Sequence, residues 1–155
     1  MCEIQSFRHA VSILGYTNLH KWLSLLLVNA TRNPSAPAML QTAIARGRFM
    51  EEVGLSYLPA SERDNLFITG AFSLLNVLLG SSMHTILNEM SLPAMVTEAL
   101  LHNQGEFAPF LKLAKLCENF DATLLVQEAE AIGLSPAQIN RAQLIALGFA
   151  DNVQS

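Results

Sequence analysis

The sequence predicts an all-α protein, a compact multi-helix bundle in a single domain. Three observations carry this reading. Apolar residues recur at helical spacing along nearly the whole chain. The periodic segments open on Ser, Asp, Asn or Pro and close on Gly, the residue types that start and stop helices. No stretch alternates apolar and polar residues long enough to make a useful strand.

The first segment places Phe7, Ala10, Val11 and Leu14 on one face, with Ser6 as its N-cap and Gly15 as its stop. The second, capped by Thr17 or Asn18, carries Leu19, Trp22, Leu23, Leu26 and Leu27 and is apolar enough to sit centrally. Asn33-Pro34-Ser35 breaks the chain, and a long helix is expected from Ala36 to Tyr57. Its inward face is Leu40, Ala43, Ile44, Gly47, Met50, Gly54 and Tyr57. Leu58-Pro59 ends it. Ser61 to Asp64 resembles a capping box and opens a helix expected to run to Leu79, with Phe67, Ala71, Leu74, Leu75 and Leu78 inward. Gly47 and Gly70 fall inside helices, where glycine costs about 1 kcal/mol relative to alanine. Close helix–helix approach is the expected compensation.

Short helices follow at Met83–Glu89 and Pro93–His102, and Gly105 begins a turn. From Glu106 onward Phe110, Leu113, Cys117 and Phe120 form the inward stripe. The next helix spans Ala122 to Ile132 and stops at Gly133. Ser135-Pro136-x-Gln138 is a full capping box with proline at the first helical position. The last helix turns Ile139, Ala142, Ala146, Phe149 and Val153 inward.

At 155 residues the chain, read as one domain over 1–155, is long enough to bury a substantial core. Apolar residues make up 51% and charged residues 14%, which excludes a disordered chain. Charge this sparse fits either a well-filled helical core or apolar surface reserved for a partner. The formal net charge of −4 and the scattered basic residues argue against nucleic-acid binding. The longest apolar stretch, Leu23 to Val28, is too short to span a bilayer, so no membrane partner is expected. Cys2 and Cys117 make neither a metal-ligand spacing nor a disulfide framework, which fits a cytoplasmic location.

No catalytic constellation stands out. His9, His20, His84 and His102 show none of the i, i+3 or i, i+4 spacings of helical metal sites, and no His-Asp dipeptide occurs. There is no nucleophile elbow and no phosphate-cradling glycine loop. Glu51-Glu52 and the pair Glu128 and Glu130 read as solvated charges, because such neighbours do not face each other on a helix. Glu98-Ala99-Leu100 spells the signature tripeptide of cyclic-dinucleotide phosphodiesterases, but those enzymes need a barrel of about 250 residues. Trp22 is either core or an interface anchor. Arg46 and Arg48 are candidates for phosphate pairing or for salt bridges on the helix surface. Trp22, Arg46 and Arg48 are thus the candidate interaction residues, and no catalytic, metal or cofactor site is expected.

The order of short motifs carries a resemblance. Ile4-x-Ser6-x-x-x-Ala10-x-x-x-Leu14-Gly15, then Leu19-x-x-Trp22, resembles the opening segment of HDOD domains, the HD-related output domains of bacteria. The likeness continues through Gln41-x-Ala43-x-x-Arg46-x-Arg48-Phe49-Met50-Glu51, through Asp64 to Leu75 with Gly70, through Leu92-Pro93 and Ala99-Leu100, and through Leu134-Ser135 to Ala150-Asp151. It is closest to the C-terminal module of EAL-HDOD proteins, in which an HDOD domain follows a cyclic di-GMP phosphodiesterase-like domain. Such domains carry further helices before the segment matched here, so the chain is read as a C-terminal piece of a longer protein.

The resemblance implies an HD-domain-like helical architecture without the metal ligands. It implies a non-enzymatic output or interaction domain in bacterial signal transduction, without cofactors. The implied partners are other protein domains, an upstream phosphodiesterase-like domain or a second copy. The alternatives carried beside it are a small-ligand receptor, with a nucleotide as the ligand, and an HD-type metal-dependent phosphohydrolase.

Overall fold

In the computed structural model, residues 12, 15, 20, 21, 24, 28 and 31–154 are described. The described residues form eight helices and no strands, in keeping with the all-α expectation. They are α1 (Ala36–Gly54), α2 (Ala60–Phe72), α3 (Leu75–Leu79), α4 (Met83–Asn88), α5 (Ala94–His102), α6 (Ala108–Asn119), α7 (Ala122–Ala131) and α8 (Pro136–Gln154). The two N-terminal helices expected from the sequence lie outside the described residues, apart from isolated positions. Gly15 is one of these, and its positive φ of 70° suits the helix stop expected there.

The centre of the fold is α1, which packs against α2 on one side and α8 on another, with α6 closing over it. The α1–α2 contact is set by glycine. A Cβ on Gly70 would lie 2.6 Å from the backbone carbon of Arg46 and from the amide nitrogen of Gly47. A Cβ on Gly47 would lie 2.7 Å from the carbonyl oxygen of Phe67. Two turns further along α1, Leu66 fills the space a side chain on Gly54 would need. Backbone therefore rests on backbone at this antiparallel crossing, the close approach expected for both interior glycines.

Around the crossing lies one main core. Phe49, Met50 and Val53 from α1 meet Leu66 from α2, Val96 from α5, Phe107, Leu113 and Cys117 around α6, and Ile139, Ala142 and Ala146 from α8. A smaller cluster, Leu79, Ile86 and Leu87, holds α3 and α4 together.

Five expectations are corrected. The long helix ends at Gly54 rather than Tyr57, because the backbone tightens before Pro59: the Leu55 amide bonds the Glu52 carbonyl and the Tyr57 amide bonds the Gly54 carbonyl, each three residues back. The helix expected to run to Leu79 divides into α2 and α3; on α2 Leu66, Ile68, Thr69 and Gly70 are buried while Phe67 is half-buried, and Leu78 on α3 is buried as expected. At the division the Ser73 hydroxyl donates to the Gly70 carbonyl at 2.6 Å, competing with the helical ladder. The Ser61 capping box does not form. The extended Pro59 stands at the N-cap and Ala60 is the first helical residue. Phe120, expected inward, takes a left-handed conformation at the end of α6 and is 89% exposed. Val153, expected inward on α8, is also exposed.

The last capping box does form. The Gln138 amide donates to Ser135 Oγ at 3.3 Å, and the Ser135 amide donates to Gln138 Oε1 at 2.8 Å. Asp121 caps α7 through its carboxylate, which accepts from the Leu124 amide at 3.1 Å.

The glycine crossing yields a prediction. Gly70→Ala adds a methyl group where backbone already sits, and lowers unfolding stability by about 2 kcal/mol, despite alanine's better helix propensity. Urea denaturation measures the change, and an unaltered midpoint would contradict the contact.

Candidate interaction surface

Each candidate arginine is held by the fold. Arg46 leaves α1 beside the Gly70 contact and reaches α6, where its Nε lies 2.5 Å from Glu118 Oε1 and its second terminal nitrogen donates to Glu118 Oε2 at 2.7 Å. Its remaining nitrogen donates to Ser73 Oγ at 3.0 Å. The bidentate pair thus ties α1, the end of α2 and α6 together. The Arg46 side chain is only 11% exposed and that of Glu118 34%.

Arg48 points to a different side of α1. It bridges Glu51 at 2.7 Å and Glu52 at 2.6 Å, three and four residues on. The two carboxylates are therefore not free solvated charges. They do not face each other, but one guanidinium spans both. Its carbon lies 5.5 Å from the Phe149 ring centre, and that ring stands edge-on to Phe67 at 6.4 Å. Arg48 so links α1, α2 and α8. Both guanidiniums pair with carboxylates within the chain. Trp22 lies outside the described residues.

Between the α5–α6 turn, α6 and α7 lies an open cleft of about 640 Å³. Asn103, Gly105, Lys112, Lys115 and Glu128 line it. Lys112 bridges the cleft to Glu128 at 2.7 Å. Lys115 is held below the usual lysine range, chiefly by burial and then by the nearby positive charge of Arg46, with Glu118 opposing. Sequence reasoning missed this cleft, because the left-handed Asn103 and Gly105 that open it carry only a turn signal.

Cys117 is buried in the core beside Glu118. Burial first, and the Glu118 charge second, push its thiol up to about 11. Of the four histidines, His20, His84 and His102 are described, and all are exposed. Among the described residues, no group of three or more His, Cys, Asp or Glu could hold a metal ion. Among them too, no helix is long and apolar enough to cross a membrane.

What the described surface offers instead is apolar. Phe120, Leu144 and Leu147 are 89%, 73% and 51% exposed. Large side chains left this open are the material of contacts between proteins.

The chain is 22% identical over 151 residues to "Cyclic di-GMP phosphodiesterase CdgJ" of Vibrio cholerae, a match covering 97% of this chain and 35% of that protein. It is 25% identical over 120 residues to "Uncharacterized protein YuxH" of Bacillus subtilis, covering 76% of this chain and 29% of that protein. No protein-family model matches the chain, and no solved structure does. The chain is a distant relative of a cyclic di-GMP signalling protein. It spans about a third of the length of these curated relatives.

Two predictions follow from the buried ionisable groups. Glu118→Ala leaves the Arg46 guanidinium largely buried with Ser73 as its main support, and costs about 1–3 kcal/mol in thermal or urea unfolding. Raising the Cys117 pKa from 9.0 to about 11 lowers its thiolate fraction at pH 8 about 100-fold. In a Cys2→Ser background, a thiol reagent therefore labels the native protein far more slowly than the urea-unfolded one. The native rate is expected to keep climbing with pH beyond 9.

Proposed function

We propose that this chain is a signalling output and interaction domain of the HDOD type. It has no catalytic activity of its own, and it regulates or reports a cyclic di-GMP signalling domain in the bacterial cytoplasm. One observation carries the reading. Nearly the whole chain aligns with a protein named as a cyclic di-GMP phosphodiesterase, yet it accounts for only about a third of that protein. A helical piece of this size is too small to be the barrel that such hydrolysis uses. It is better suited to be the module that accompanies it.

Three further features support this. The HDOD motif order runs through the same residues that build the fold: Gly70 at the helix crossing, Arg46 on Glu118, and Ser135 capping α8. The sequence holds no His-Asp dipeptide, the metal-binding hallmark of the enzymatic HD relatives. Exposed Leu144, Leu147 and Phe120 supply adhesive surface rather than reactive groups.

A second reading, a nucleotide receptor, is favoured by the lysine-lined cleft beside α6. Its volume falls within the range of small-molecule sites. It is the weaker reading, since Lys112 is already engaged by Glu128.

The two readings separate experimentally. Under the interaction reading, deleting the coding segment alters cellular cyclic di-GMP, while the purified chain neither hydrolyses cyclic di-GMP nor gives heat with it in calorimetry. Turnover by the purified chain overturns the non-catalytic assignment. Saturable heat that is lost in Lys115→Glu establishes the receptor instead.

A further inference from the structure

We propose that the cleft beside α6 is a binding site for the terminal phosphate of a small phosphorylated ligand, with Lys115 as its main contact. The proposal rests on the receptor reading of this cleft and names the chemical group that the cleft takes. It leaves the interaction reading standing, because a module that reports a signal can bind one without transforming it.

The charges around the cleft point to this ligand. Ala108, Lys112 and Lys115 line it, follow one another at steps of four and three residues, and so share one face of α6. Lys112 is neutralised across the cleft by Glu128 at 2.7 Å. Arg46, whose charge acts on Lys115, is itself held by both carboxylate oxygens of Glu118. Lys115 is half-buried, and among the described residues no carboxylate, carbonyl or hydroxyl bonds its amine. Lys112, Lys115 and Arg46 thus meet only Glu118 and Glu128, and the unmatched positive charge sits on Lys115, in a chain whose formal net charge is −4. A half-buried cation without a counter-ion is unfavourable. The lowering of its pKa, first by burial and then by Arg46, reflects that. An anion arriving from solvent relieves it without opening any existing pair.

The rest of the lining favours a phosphate. The side-chain amides of Asn103 and Gln104 face the same cleft and make no hydrogen bond among the described residues. Lys112 keeps donors beyond the one it gives to Glu128. A terminal phosphate carries three strong acceptor oxygens and a charge of about −1.5 to −2 at neutral pH, which suits Lys115, Lys112 and an amide together. A carboxylate has only two oxygens, in one plane, and a phosphodiester only a single charge. Ala108 and Pro109 supply a short apolar wall for the body of the ligand. The volume of about 640 Å³ leaves room for that body beyond the phosphate.

Isothermal calorimetry on the full chain tests the site, with inorganic pyrophosphate and adenosine monophosphate as probes and with acetate and cyclic di-GMP as contrasts. Saturable heat with both phosphate probes is expected, at a dissociation constant of about 0.1–1 mM. Lys115→Met is expected to weaken binding about tenfold or more. It is also expected to raise the melting temperature of the unliganded protein, which separates loss of binding from loss of fold. Glu128→Gln removes a competing negative charge and frees Lys112, and is expected to tighten binding about threefold. No heat with either phosphate probe, equal binding of acetate, a folded Lys115→Met that binds as the wild type does, or a Glu128→Gln that binds more weakly each overturns the site. Saturable heat with cyclic di-GMP alone keeps the receptor reading and overturns the terminal phosphate. Heat with the phosphate probes and none with cyclic di-GMP supports the site and leaves the interaction reading intact, so the readings fail separately.

Discussion

Everything in this fold is referred to the place where α1 and α2 touch through glycine. Gly47 and Gly70 bring two backbones together with no side chain between them. A methyl group at either position would hold the helices apart by enough to move the groups on both flanks. On one flank stands Arg46, whose reach to Glu118 and Ser73 depends on where α1 lies against α2. On the other stand Arg48 and Phe67, which together hold Phe149 of α8. The helix-propensity cost of two interior glycines is thus offset by four helices set in register.

The two arginines show how one helix can organise three neighbours with a pair of adjacent charges. Residues two apart on a helix face different ways, so Arg46 and Arg48 serve different interfaces. Arg46 meets a carboxylate on another helix, and it is largely withdrawn from water. Arg48 finds its carboxylates on its own helix and offers its flat face to an aromatic ring instead. The first fixes the distance from α1 to α6. The second seals the seam between α1, α2 and α8. Lys115 responds to the same arrangement, because burial and the Arg46 charge act on it together.

Much of this was legible in the sequence, and the exceptions share a cause. Helix class, the stops at Gly80 and Gly133, the Ser135 capping box and the tight packing at Gly47 and Gly70 all followed from local rules. The breaks at Gly54 and Ser73 did not. There the pattern of apolar residues continues unbroken, and the helix ends because backbone and hydroxyl hydrogen bonds take over from the i−4 ladder. Phe120 was misplaced for a related reason. Periodicity assigns it to the inner stripe, but a left-handed residue at a helix terminus turns its side chain out of phase with the helix before it. Of the candidate site, Arg46 and Arg48 were picked out from sequence, but their partners were not. Glu118 lies 72 residues from Arg46, and no local rule connects them. The cleft beside α6 was equally hidden.

The distribution of charge bears on what kind of function such a surface can have. Arg46, Arg48, Lys112, Glu51, Glu52, Glu118 and Glu128 all neutralise one another within the chain. A group held in this way is poorly placed to meet a substrate, because binding would have to break an existing pair. The described histidines are exposed and form no metal cluster with neighbouring acids. Large apolar groups, in contrast, stand open at Phe120, Leu144 and Leu147. Burying such groups against a partner gains free energy from the water they release, and requires no internal pair to open. Specificity must then come from shape and from the charges beside them.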